Sequence, residues 1–251
     1  MLQRIGRSAV HHNRGCASTS YRSDWLLRAI SDEPREHERA PHRRPLDSTD
    51  RVFEIEDALA SSQCRAIVNA AEAAGFEAAG IDPRASRSMA EGNVSVMRTD
   101  VRLNQRIVLD SAGTAEALFD RLAPVFPQTF QKMAFDSFSE RIRIYKYVPG
   151  DFFAPHVDGA FTDERHGTTF VYTVLLYLNT VERGGRTTFF KARIADGSIE
   201  YQPTPSPPPV AGREGHGLAF WHKVPHAGEA VEEGLKYVLR LDAMYRPMVS
   251  E

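Results

Sequence analysis

The apolar positions of this chain change spacing part-way along it. Val52, Phe53 and Ile55 predict a short strand that opens the ordered domain, and Asp57 or Ser61 is placed to cap a following helix. Cys64, Ile67, Val68, Ala71 and Ala74 then recur at helical intervals until Gly75 ends the pattern. This predicts a helix lying against the outside of a sheet. Residues 76–112 read as irregular, interrupted by Gly80, Pro83 and Gly92. Thr114 opens a second helix with Leu118, Leu122 and Val125 on one side, stopped by Pro127. From Arg141 onward the apolar residues fall in short β-type runs separated by Gly and Pro.

That order implies a mostly β fold with flanking helices, and a double-stranded β-helix (jelly-roll) barrel is the economical architecture. Ala192 to Tyr201 reads as a hairpin turning at Asp196-Gly197. The proline-rich run from Pro203 to Pro209 reads as a stiff connector, not a strand. There is no internal repeat.

Composition narrows the class. The chain has 251 residues, 42% hydrophobic and 25% charged, which suits one sizeable core with appendages. No apolar run approaches the roughly 20 residues a membrane span needs. A formal charge of -2 with scattered basic residues argues against a nucleic-acid partner. Cys16 and Cys64 lie in dissimilar settings, so a disulfide framework is not expected and a reducing, cytoplasmic address is. Arg4, Arg7, Arg14, Arg22 and Arg28 against Asp24 give the first 30 residues a faint likeness to an organelle transit peptide, but a plain extension is the preferred reading. Asp32 to Arg44, densely charged and with prolines, reads as a mobile linker. The expected division is therefore a disordered or loosely ordered extension over 1–48 and a single domain over 49–251.

The chemistry concentrates at His156-Val157-Asp158, with His226 further along and Lys236 ten residues after it. In a strand, His156 and Asp158 point to one face and Val157 to the opposite layer. Two imidazoles and a carboxylate can occupy one face of a ferrous ion and leave the other face open. The third ligand must come from another segment, and the apolar run Phe220 to Gly228, broken by a turn, suits a neighbouring strand. His222 and His226 form an H-x-x-x-H, but Pro225 argues against the helix that would make both ligands, so His222 is expected to be a polar neighbour. His166 and His216 sit in Gly-containing stretches and read as turn or solvent-facing residues.

Three blocks extend the pattern. Arg141 to Gly159, then Thr173 to Asn179 with Gly184 to Phe189, then His226 to Arg240 resemble, in order, the prolyl 4-hydroxylase-like 2-oxoglutarate and Fe(II)-dependent dioxygenases. The resemblance covers roughly residues 140–246, and 51–135 match the family's helical lead-in more loosely. It implies Fe(II) held by His156, Asp158 and His226, with 2-oxoglutarate and O2 as co-substrates and ascorbate as a further candidate cofactor. It also implies Lys236 at the 5-carboxylate of 2-oxoglutarate, joined by Tyr177, with Thr173 and Leu175 lining the pocket and Tyr147 as another contact. Arg240 shares a strand face with Lys236, competes with it for that role, and is placed nearer the metal or a substrate carboxylate.

The implied reaction is hydroxylation of an unactivated C-H bond, with succinate and CO2 as co-products. Related halogenases lack the carboxylate ligand that Asp158 supplies here, so hydroxylation is the expected outcome. The substrate is read as a small, amino-acid-like molecule, with a peptidyl prolyl or other residue as the alternative. Arg98, Arg102, Arg143 and Arg240 are candidate anion contacts and tilt the reading toward an acidic small molecule. The segments 81–104 and 190–214 are expected to border the pocket mouth. A non-catalytic jelly-roll binding module would lack a ligand or the basic anchor, and neither is missing. A zinc hydrolase fits less well, because no carboxylate is placed as a general base. Oligomeric state is left open.

Overall fold

The computed structural model describes residues 24–32, 39–79, 101–159, 161–196 and 198–248. Three helices, Asp24–Ser31 (α1), Ser61–Ala74 (α2) and Ala112–Leu122 (α3), cover one side of a large antiparallel sheet. Its central run of neighbours is Val52–Glu56, Gly217–Trp221, Thr168–Tyr177, Lys236–Pro247, Arg141–Tyr147 and Gln105–Asp110. A second sheet orders Ser198–Pro203, Thr187–Ala195, His226–Gly228, Phe152–His156 and Arg102–Leu103. This is the jelly-roll expected from the sequence. Among the described residues no helix is long and apolar enough to cross a membrane.

Strand alternation divides the large sheet into two chemically distinct faces. Ile142 and Ile144, Tyr172, Val174 and Leu176, and Leu239, Leu241 and Ala243 pack with Leu26, Ile67, Leu118 and Leu122 of the helices in one buried cluster. The intervening residues of the same strands face the second sheet. Register sets them in rows: Tyr147 beside Lys236, Val238 between Tyr145 and Tyr177, Arg240 between Arg143 and Leu175, and Asp242 beside Thr173. A one-residue slip of the 236–247 strand would put Lys236 and Arg240 into the apolar cluster, so burial on both faces fixes the register.

Several sequence expectations need correction. Within 1–48, α1 is amphipathic, burying Leu26 and Ile30, and His42–Pro45 pairs with Val52–Glu56. Tertiary contact is what holds so short a helix. The Gln63 amide donates to the Ile30 carbonyl at 2.6 Å, and α3 approaches so closely that a Cβ on Gly113 would lie 2.8 Å from Leu27 Cδ2. α2 is capped by neither Asp57 nor Ser61; the Gln63 side chain accepts from the Ala60 N–H at 2.9 Å. α3 starts earlier than Thr114, with Ser111 Oγ accepting from the Thr114 N–H. The stretch read as irregular contains the strand Gln105–Asp110, paired with Arg141–Tyr147. The hairpin agrees: Ala195 pairs with Ser198 across the two-residue turn.

Candidate active site

The two sheets enclose a cleft of about 460 Å³, counted out to open solvent. At one end three chemically matched side chains meet. His156 is the last residue of its strand, His226 the first of its own, and the two are direct cross-strand partners. Their rings lie 4.3 Å apart between centroids. Asp158 follows after the strand has ended, its N–H donating to the His222 carbonyl at 3.2 Å. Val157 is 41% exposed and not turned into an opposite layer, because the chain has left the sheet there. One ligand atom from each of His156, Asp158 and His226 fits within 4.8 Å.

The histidine tautomers follow from local geometry. His156 Nδ1 lies 2.8 Å from the Ala154 carbonyl, and His226 Nδ1 lies 3.0 Å from the Val224 carbonyl, so each Nδ1 carries the proton and donates. Each Nε2 is left with its lone pair directed toward Asp158, at 3.7 and 3.8 Å. His156 Nε2 is buried with no hydrogen-bond partner. A buried acceptor without a partner is unfavourable, and a cation at the centre of the trio would satisfy it. Burial lowers the His226 imidazole to about 3, with His156 adding to the effect, which keeps it neutral as a metal ligand requires.

Asp158 is held from both sides. Thr173 donates its hydroxyl to Oδ2, and Arg240 Nη1 donates to Oδ1 at 3.0 Å. Burial opposes ionisation, but Arg240 first and then the histidines hold the carboxyl well below its usual range. Arg240 is itself fixed by Asp242, Nε to Oδ1 at 3.2 Å, and Arg143 donates to the other oxygen of Asp242 at 3.2 Å. Arg240 thus lies at the carboxylate of the trio, away from Lys236.

Lys236 occupies the other end of the cleft. It is 4% exposed, its Nζ donates to the Gly185 carbonyl at 2.6 Å, and it lies over the rings of Tyr147 and Tyr177 at 5.2 and 5.9 Å. No described carboxylate forms an ion pair with it, and burial brings the ammonium down to about 8. The Tyr177 hydroxyl is 3.1 Å from Thr187 Oγ1.

Of the other residues singled out in the sequence, His222 is buried 4.9 Å from the Phe170 ring, outside the trio. His166 is exposed beside Asp163, while His216 is half-buried and not fully solvent-facing. Arg102 is buried against Tyr145 and Phe153, two rings that line the cleft, and Arg98 lies outside the described residues. No described residue of 190–214 lines the cleft, so that segment does not border it as expected. Six lining residues were given no role: Tyr145, Phe153, Thr187, Ala227, Gly228 and Val238. Tyr145 was readable, since it alternates with Arg143 and Tyr147. Thr187 and Phe153 come from the second sheet, whose approach to the first no local pattern announces.

Residues 142–241 match the model of the 2OG-Fe(II) oxygenase superfamily. A search of curated proteins returns no match. Among solved structures, a Pseudomonas putida prolyl-4-hydroxylase is 19% identical, with a TM-score of 0.51 over 87% of this chain and 98% of that one. A prolyl hydroxylase from Trichoplax adhaerens, in complex with a hypoxia inducible factor oxygen degradation domain peptide fragment, is 19% identical with a TM-score of 0.51, covering 78% of this chain and 84% of that one. At such identity these two share the fold. The matched segment contains the trio, Lys236 and Arg240, and the donor set fits the ferrous ion and 2-oxoglutarate that the family implies. Residues 142–241, which carry the trio, Lys236 and Arg240, are thus similar to the 2OG-Fe(II) oxygenase superfamily, and the chain shares its fold with the two prolyl hydroxylases.

Proposed function

We propose that this enzyme hydroxylates an unactivated C-H bond, with Fe(II) held by His156, Asp158 and His226. The observation that carries the reading is the buried, partnerless His156 Nε2 facing two further ligands, across a cleft from a buried lysine on which Glu229 acts only at a distance, with no ion pair among the described residues. Fe(II) with 2-oxoglutarate and O2 supplies the oxidising chemistry, releasing succinate and CO2. The protein residues bind, orient and exclude. Lys236 and Tyr177 receive the 5-carboxylate of 2-oxoglutarate through charge-assisted hydrogen bonds, and Tyr147 and Thr173 wall the cavity between that carboxylate and the metal. Thr173 and Arg240 fix the orientation of Asp158. His156 keeps 17% of its side chain exposed, against 8% for His226, so the trio is reached from the His156 side.

Anaerobic addition of Fe(II) and 2-oxoglutarate should produce a weak visible charge-transfer band, and O2 should then yield succinate. His156→Ala should abolish both. A band of full intensity in that variant would remove His156 from the ligand set. The substrate is a small acidic molecule or an exposed residue of a peptide. The prolyl hydroxylases that share this fold, one of them holding a peptide fragment, support the peptide reading at least as well. A substrate panel containing free acids and peptides separates the two.

A further inference from the structure

Arg102 is a buried cation that the metal and co-substrate chemistry does not use. It lies on the short strand Arg102–Leu103, paired with Phe153 of the strand that ends in His156. The residue is 8% exposed. Its guanidinium sits over two rings that line the cleft, 4.5 Å from the Phe153 centroid and 4.6 Å from that of Tyr145. Phe153 in turn stacks on His156 at 3.7 Å and 17°. Arg102 is thus one aromatic ring away from a metal-site imidazole. Its Nε is fixed by Asn104 Oδ1 at 2.7 Å, while Nη2 is buried with no partner.

Charge balance says what is missing. A ferrous ion, Asp158, the dianion of 2-oxoglutarate and Lys236 sum to zero, and Arg240 is balanced by Asp242. Among the described residues no carboxylate forms an ion pair with Arg102, and Arg143 adds further positive charge at the same face. Burial alone would raise the Tyr145 phenol, yet Arg102, Arg240 and Arg143 together bring it down, so an excess of positive charge is felt at the cleft wall. Guanidinium cannot shed its proton to escape this burial. A buried charge without a counter-ion is costly, and the unused Nη2, with its two N–H donors, can meet a carboxylate oxygen.

We infer that Arg102 is the receptor for a carboxylate of the substrate, which makes the enzyme selective for anionic substrates. The inference rests on the oxygenase reading above and names the substrate class of that site. The aromatic sandwich fixes the guanidinium before the ligand arrives, so little side-chain entropy is lost on binding. The carboxylate has two sources, a free acid or an acidic residue in a peptide, and the chemistry at Arg102 is the same for both.

The test uses the full chain with Fe(II) and saturating 2-oxoglutarate under anaerobic conditions. One arm titrates N-acetyl amino acids as free acids and as primary amides; the other titrates peptides that carry a central glutamate or glutamine. Affinity is read from tryptophan fluorescence and from the shift of the visible band. In one arm at least, the carboxylate should bind about tenfold or more tightly than its amide, as expected for a charge-assisted hydrogen bond. The arm that shows the preference identifies the source. Arg102→Met should abolish the preference while the affinity for 2-oxoglutarate moves less than twofold. Arg102→Lys, checked for folding by its melting curve, should retain part of it. No preference for charge in either arm, or a preference that survives in Arg102→Met, overturns the inference. An equal loss of 2-oxoglutarate affinity in Arg102→Met does so too, by making the residue a co-substrate contact. Absence of the band in the unsubstituted protein is a different failure, that of the oxygenase reading itself.

Discussion

Lys236 and Arg240 lie four residues apart on one strand and face the same cleft, the first buried and the second half-buried, yet their surroundings are opposite. Arg240 touches two carboxylates, Asp158 and Asp242. Lys236 has a backbone carbonyl and two aromatic rings. A cation whose charge is already answered by the protein serves position; one whose charge is left open is suited to meet an anion from outside. The sequence offered both as anchors for the same carboxylate, and only their partners separate them.

Replacing the paired cation should have the largest effect on the fold. Arg240→Met leaves Asp158 and Asp242 buried with less compensation, and losing one partner of a buried pair costs about 3–5 kcal/mol. Asp242 keeps Arg143, whereas Asp158 keeps only Thr173 until a metal binds. The loss should therefore be greatest in metal-free protein and partly recovered on adding Fe(II). Thermal melts with and without metal check this. Equal destabilisation in both states would show that Arg240 acts through packing and not through the Asp158 carboxylate.

The open cation should behave in the contrary way. Lys236→Met removes a desolvated ammonium without leaving a carboxylate unpaired, so the protein should be as stable as before or more so. Iron should still bind. Affinity for 2-oxoglutarate should fall about 10–100-fold, the worth of a charged hydrogen bond of roughly 1.5–3 kcal/mol. Titration of the visible band against 2-oxoglutarate measures it. An unchanged affinity would move the anchor elsewhere in the cleft.

How far the sequence reached is visible in the same two residues. Period-two alternation put Lys236, Val238 and Arg240 on one face and Thr173, Leu175 and Tyr177 on another, and the structure sets those faces side by side. The spacing of His156 and Asp158 carried the trio, even though the strand ends between them. What alternation lacks is any term for contacts between separate segments. The partner of Arg240 lies 82 residues away, and Thr187 enters from the second sheet. α1 was hidden for a related reason: the apolar side of Trp25, Leu26 and Ile30 spans barely two turns, and only the helices it packs on give it meaning. Gln105–Asp110 is half polar because it lies toward the rim of the large sheet, so its strand character comes from pairing with Arg141–Tyr147 and not from its own pattern.

The pH dependence of stability most directly tests whether Lys236 lacks an ion-paired counter-charge. Burial brings its ammonium from 10.5 to about 8, so the folded protein holds this proton less tightly than the unfolded chain does. Stability rises with pH wherever the unfolded state binds more protons. Below pH 8 both states are protonated and the full penalty of burying the charge, on the order of 3 kcal/mol, is present. Between about pH 8 and 10.5 the folded state releases the proton and the penalty fades. Measured against Lys236→Met, which cancels all other titrations, wild-type stability without co-substrate should improve through that window. Affinity for 2-oxoglutarate should weaken through the same window, since neutral lysine no longer pairs with the carboxylate. A stability difference that is flat with pH would mean that Lys236 already has a counter-charge, and the contrast with Arg240 would then be lost.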